Sequence, residues 1–294
     1  MDLRRSSPVD GGWRGRPPCT WWHRPAACRL GLRAPSCHPC RRSVAESSSS
    51  PRAHLRQHLP HLFRIAYLAT GSREDAVFQL RFVVNEAIAQ RITGPDAAHV
   101  RKALLSSLVR GLEDRLAGRA ERSFDELDAL LRSDITRPIE LGSDPIDDDP
   151  QRLNVMLWEL KRTCLVATLC ALPISLRLAL VLGDLAGIEP KDAAELLGIN
   201  ERAFRVRLTR ARKRLESFLA PRCQHLDPDN PCTCVGRLAI AMDAGFVRYP
   251  PDADRLPTLP HDASPSQRSA TTLLSELPLP DLDRASLEEL LGPV

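Results

Sequence analysis

Between Ile199 and Leu215 the chain sets seven cations, Arg202, Arg205, Arg207, Arg210, Arg212, Lys213 and Arg214, against one acid, Glu201. Guanidinium groups near the start of a helix offer a fork of donors that matches guanine O6 and N7, and later cations neutralise phosphates. Nucleic-acid recognition is therefore the chemistry this stretch can perform. A solvated basic face on a helical hairpin is the plainer reading of a charge run. A net of +6 over these 17 residues, in a chain that sums to −2 over 51–294, favours DNA.

A second group of chemically capable residues follows at once. Cys223 and His225 form a Cys-x-His pair, Cys232 and Cys234 a Cys-x-Cys pair, and six residues separate the two. Such a set can supply four tetrahedral zinc ligands, although both pairs are more closely spaced than zinc pairs usually are. The competing reading is a turn-rich cap with free thiols. The chain has nine Cys and no signal-peptide pattern, which implies reduced thiols rather than a disulfide framework. Cys164 and Cys170 stand inside an apolar helical run and read as core residues. No constellation points to an enzyme, because there is no phosphate-cradling Gly loop, no nucleophile elbow and no His-Glu-x-x-His helix.

The basic stretch needs elements to aim it. Pro190 to Leu197 reads as a short helix with Ala193, Ala194 and Leu197 inward, Gly198 as the turn, and Asn200 as the N-cap of the next helix. Phe204, Leu208, Ala211, Leu215 and Phe218 give that second helix one apolar face. Helix, Gly turn and capped basic helix is the helix-turn-helix plan, whose second helix enters the major groove.

The remainder divides by composition. Residues 1–51 read as a disordered leader, with nine Arg, no Lys and net charge +6 over 1–50. Its Cys37-His38-Pro39-Cys40 reads as biased composition rather than a metal knuckle. Residues 52–132 read as a four-helix bundle: a first helix through Leu55 to Leu68, a second capped by Ser72 with Asp75, a third started by Pro95, and a fourth from Phe124 to Leu131 capped by Ser123 with Glu126. Residues 133–151 are an acidic linker, with net charge −5 over 133–150. Helical periodicity resumes over 152–220, a Cys/His-containing extension spans 221–247, and 248–294 reads as a mostly disordered acidic, Pro-rich tail of net charge −4. Within that tail Ser286 to Leu291 has the pattern of a short amphipathic helix. The expected fold is all-α, with two small helical domains joined by the linker. Aromatics at 4 % argue against a β-sandwich, and no run approaches the ~20 apolar residues of a membrane span, so no membrane insertion is expected.

Leu172-Pro173 through Leu182, Leu185-Ala186-Gly187, Asp192 through Ile199, and Phe204 through Leu215 follow one another in order and register. Together they resemble region 4 of an extracytoplasmic-function-type RNA polymerase sigma factor, over about 152–220. The resemblance implies a domain that reads the upstream promoter element and touches the flap of the polymerase β subunit. Arg202, Arg205, Val206, Arg207 and Arg210 would be its DNA-facing set, with Arg212, Lys213 and Arg214 as further DNA-binding cations. Arg202-Ala203 stand where the family usually has Gly-Thr. Leu62 through Tyr67 and Gly71 through Ala76 are similar to the opening of region 2, while Arg81-Phe82 replace a Gln-acid pair that would help bind the β′ subunit. Leu104 through Leu116 resembles the helix that reads and opens the downstream element, and the acidic linker corresponds to a segment that such proteins thread through the polymerase channel.

These resemblances imply a cytoplasmic, non-enzymatic initiation factor. Its partners would be core RNA polymerase through β and β′, promoter DNA, and an anti-sigma factor. Promoter opening needs aromatic and cationic surfaces for unstacked bases. Between 96 and 132 the only Phe, Tyr or Trp is Phe124. That scarcity motivates an alternative, a DNA- or polymerase-binding regulator that has lost opening activity.

Overall fold

A computed structural model describes residues 51–90, 97–117, 123–133, 149–258 and 268–292. The leader through residue 50, Pro95 and most of the acidic linker lie outside the described residues. Among those described, helices are the only extended elements, and the all-α expectation holds. They are α1 (Pro51–Thr70), α2 (Arg73–Ala89), α3 (Ala97–Ala117), α4 (Phe124–Ser133), α5 (Pro150–Cys170), α6 (Ile174–Leu180), α7 (Pro190–Leu196), α8 (Glu201–Leu219), α9 (Cys234–Asp243), α10 (Ala270–Ser275) and α11 (Arg284–Leu291). None of the described helices is long and apolar enough to cross a membrane.

Local chemistry sets the starts. Ser72 accepts from the Asp75 N–H, and Ser123 and Glu126 exchange the two bonds of a capping box at 3.1 and 2.9 Å. Asp149 caps α5 ahead of Pro150, whose missing N–H costs nothing at a first helical position. Past α6 the chain makes one π-helical turn, Val181–Leu185, in which the Ala186 N–H reaches back to Val181 O at 2.8 Å.

The front bundle packs α1 on α2 and α3, burying Leu59, Leu62, Phe63, Leu80, Leu104, Leu108 and Leu112. Its apolar interior runs without a break into that of α5–α8, α10 and α11. The two helical modules read from the sequence thus share one core in the structure. A smaller cluster, Met156, Leu157, Leu160, Leu238, Ala241 and Val247, seats α9 on α5.

The tail differs from expectation. Over 270–291 it is not disordered. Ala270, Leu273, Leu274 and Leu277 are buried where α10 packs on α8, and Leu290 and Leu291 are buried where α11 packs on α1 and α2. Its acids had suggested a solvated chain, but they lie outside a leucine stripe that finds a groove.

The seam between modules is closed by a buried cation. Arg177, 5 % exposed, donates from Nη1 to Ala69 O at 2.8 Å, and from Nη2 to Cys170 O at 2.5 Å and Leu172 O at 3.0 Å. Ala69 and Cys170 end α1 and α5, so one guanidinium satisfies orphan carbonyls of two helices. Replacing Arg177 by Leu strands those acceptors, and we expect a loss of about 2–5 kcal/mol of stability. Urea unfolding monitored by circular dichroism measures it, and a change under 1 kcal/mol, on the order of an ordinary surface substitution, contradicts this account of the seam.

Candidate nucleic-acid interface

The helix-turn-helix forms where the sequence places it. Gly198, at φ +60°, carries the chain out of α7 in the left-handed region that favours glycine. The Ile199 N–H closes the turn on Ala194 O at 3.0 Å, and the Asn200 side chain caps α8 by accepting from the Ala203 N–H at 2.8 Å. Phe204, Leu208, Ala211, Leu215 and Phe218 are buried, as the period of α8 requires. The π turn approaches α8 at Gly183, where a Cβ would stand 3.1 Å from Phe204 Cζ and 3.4 Å from Leu208 Cδ2.

Fixing α8 by that face decides what its cations do. Arg202, Arg205, Val206, Thr209 and Arg210 recur at helical spacing and line one shallow outward-facing depression with Glu201. Val206 is among the exposed large hydrophobic residues, a placement with no packing reason. Arg205 is held by Glu201 at 2.6 Å, one turn earlier. An exposed i,i+4 pair contributes about 0.3–0.5 kcal/mol. A bidentate contact of an arginine to a base discriminates by about 1–3 kcal/mol, more than such a pair contributes.

The other cations diverge. Arg212 is clamped by both oxygens of Asp184, at 2.7 and 2.5 Å, and these bonds raise its pKa. It ties α8 to the π turn. Arg207 is half-buried and faces α3 closely enough to oppose the burial that raises the Glu113 carboxyl. Lys213 and Arg214 are exposed further along, beside Phe124, Leu176 and Arg222. Of the eight expected DNA-binding residues, then, Arg202, Arg205, Val206 and Arg210 share one stripe, Arg210 joins it to a second depression with Lys213 and Arg214, Arg212 is exposed but paired with Asp184, and Arg207 is half-buried.

In the front bundle the cations of α3 are largely engaged. Arg110 pairs with Glu86, Arg115 with Asp75 at 2.8 Å, and Lys102 with Glu195 of α7 at 2.6 Å. Ser107 and Arg110 both donate to Glu86, holding its carboxyl below the usual range. Aromatic surface near α3 comes from α2 instead. Phe78, 54 % exposed, lies under the Arg115 guanidinium at 4.1 Å, and Phe82, 45 % exposed, lies against Gly111. A count of aromatics within 96–132 could not find these two. The signal was their i,i+4 spacing in α2, on a face its buried residues do not use.

The four-ligand zinc cage is not assembled. Among the described residues no group of three or more His, Cys, Asp or Glu side chains is gathered to hold a metal. Cys223 and Cys232 are instead neighbours in a short backbone bridge, with Gln224 N–H to Cys232 O at 3.2 Å and Cys232 N–H to Arg222 O at 3.0 Å. His225 Nε2 lies 3.3 Å from Cys234 Sγ at the start of α9. The intervening turn is closed by Asn230, whose amide donates to Ala220 O at 2.6 Å and Cys223 O at 3.0 Å.

Comparison with known proteins bears on the same segment. Residues 162–215 match the family model for sigma-70, region 4. The matched segment runs from within α5 to within α8, and α1–α4 lie outside it. Sigma-70 region 4 is a domain type of transcription initiation and not an enzyme family. No curated protein and no solved structure matches the chain.

The thiols make a prediction. Burial pushes Cys164 up to about 12 and raises Cys223 as well. A thiol with so high a pKa is protonated at pH 8 and a poor nucleophile. Iodoacetamide at pH 8 should therefore label Cys164 roughly 100-fold more slowly in the native protein than in urea. Peptide mapping by mass spectrometry reads the ratio, and equal rates contradict the burial.

Proposed function

We propose that the chain is a sigma-factor-like initiation factor of the extracytoplasmic-function type, which binds core RNA polymerase and directs it to particular promoters through α7–α8. The observation that carries this reading is the exposed stripe Arg202, Arg205, Val206 and Arg210 on a capped helix inside the segment matching sigma-70 region 4. Arg at the first turns reaches base edges, while Lys213 and Arg214 track phosphates. The helix-turn-helix would also touch the β flap. The front bundle would hold β′, and the acidic linker, 133–151, would enter the polymerase channel. The protein would work in the cytoplasm, where an anti-sigma factor would restrain it.

The alternative is a regulator that binds polymerase or DNA without opening promoters, motivated by the engaged cations of α3. Exposed Phe78, beside Arg115, and exposed Phe82, against Gly111, favour retained opening, since aromatic faces with a neighbouring cation are what unstacked bases need. Run-off transcription with purified core enzyme, followed by permanganate footprinting, separates the readings. A promoter-specific product with unpaired thymines supports the first, and binding without reactivity supports the second.

Substitutions in α8 sort its cations. Arg202→Ala and Arg210→Ala are each expected to weaken promoter binding about tenfold, the equivalent of one lost base or phosphate contact. A substitution that removes a phosphate contact also lowers the slope of log K against log salt by about 1. Arg212→Ala, which breaks the tie to Asp184, is expected to act on stability and to leave that slope unchanged. Anisotropy titrations over a salt series decide this. Equal slopes and affinities for all three variants and the parent would remove α8 as the reading element.

A further inference from the structure

The last helix of the chain sits on a surface that the function proposed above assigns to polymerase. α11 lies between α1 and α2 with Leu287, Leu290 and Leu291 facing inward at positions i, i+3 and i+4. Its acids straddle the groove. Glu288 takes both terminal nitrogens of Arg56 on α1, at 2.7 and 3.0 Å, and Glu289 pairs with Arg81 on α2. Asp283, the N-cap of α11, pairs with Arg73 at the start of α2, and Arg73 also donates to Asp281 O at 2.9 Å. Three arginines on two helices thus meet three acids on one short helix more than 200 residues away in sequence. Charge and apolar pattern are complementary across the whole face.

We propose that α11 is an autoinhibitory occupant of the α1–α2 face, competing there, as an acidic, leucine-bearing helix, with the core polymerase that the reading above places on this bundle. Arg81 and Phe82 occupy the positions at which the β′ contact would fall, and Glu289 of α11 engages the half-exposed Arg81 guanidinium.

The attachment is built to release. α11 has eight residues, too few to persist as a helix in water, so it is helical only while docked. The side chains of its ion pairs remain 31–65 % exposed, which places them with the pairs that contribute little and are screened by salt. At its N-cap end opens a cleft of about 1170 Å³, lined by Tyr67, Arg73, Arg162, Tyr249, Asp281 and Asp283, so the segment that leads into α11 is not close-packed. α10 is different: Leu273 and Leu274 are 1 % and 2 % exposed, and the Ala270 N–H donates to Glu216 of α8 at 2.8 Å. α10 stays as the anchor, and α11 is the part that leaves.

The test compares core-polymerase affinity of the full chain, a chain ending at Pro280, and the full-length triple variant Asp283→Asn, Glu288→Gln, Glu289→Gln. If α11 is docked nine-tenths of the time, removing it tightens binding about tenfold. The triple variant, which keeps the leucines, should shift the same way by about threefold. A synthetic peptide of residues 281–294, added to the shortened chain, should restore the weaker affinity. Equal, measurable affinities for all three proteins overturn the proposal while leaving the polymerase reading intact. Failure of all three to bind polymerase overturns that reading, and this one with it. If circular dichroism shows the shortened chain to be unfolded, the triple variant decides alone, tightening being support and no change refutation.

Discussion

The arrangement of this protein depends on one buried guanidinium. A helix ends with carbonyls that have no partner, and α1 and α5 end next to each other away from water. Arg177 reaches those ends from the first turns of α6, with four donated bonds to Ala69, Cys170 and Leu172. A cation at two helix C-termini is favoured by both dipoles as well as by the bonds. Without it, the front bundle and the helix-turn-helix would meet across unsatisfied acceptors. With it, α6 leaves in a defined direction, and everything downstream inherits that direction.

What it inherits first is the pose of α8. Gly183 lets the π turn approach Phe204 and Leu208, and Asp184 in the same turn clamps Arg212. α8 is therefore held on its buried face by packing and on its flank by an ion pair. Its remaining face carries Arg202, Arg205, Val206 and Arg210 outward.

Charge follows the same logic of division. A net of +4 hides a basic stretch at 199–215 among acidic segments. Part of the acidity has an internal destination, since Asp283, Glu288 and Glu289 lie on arginines of α1 and α2. Acids in a Pro-rich tail resemble a solvating segment until the leucines between them are matched to a groove, and that match is a property of the folded body.

By itself the sequence determined the helices and the recognition unit. The 3.6-residue period of Phe204, Leu208, Ala211 and Leu215, the Asn200 cap and the Gly198 turn are local features, and each recurs in the structure. The helix over 286–291 was legible for the same reason. Only tertiary structure decided which cations of α8 face outward, that the two helical modules share a core, and that the acidic tail docks. It also brought Cys223 beside Cys232 in a backbone bridge and His225 Nε2 to within 3.3 Å of Cys234 Sγ. The physical reason is separation along the chain. A cap or a period is written within a few residues, whereas Arg177 to Ala69 spans 108 and Arg56 to Glu288 spans 232. Such contacts exist only after the intervening helices have packed, and an arginine that will end buried is written in the same letter as one that will stay exposed.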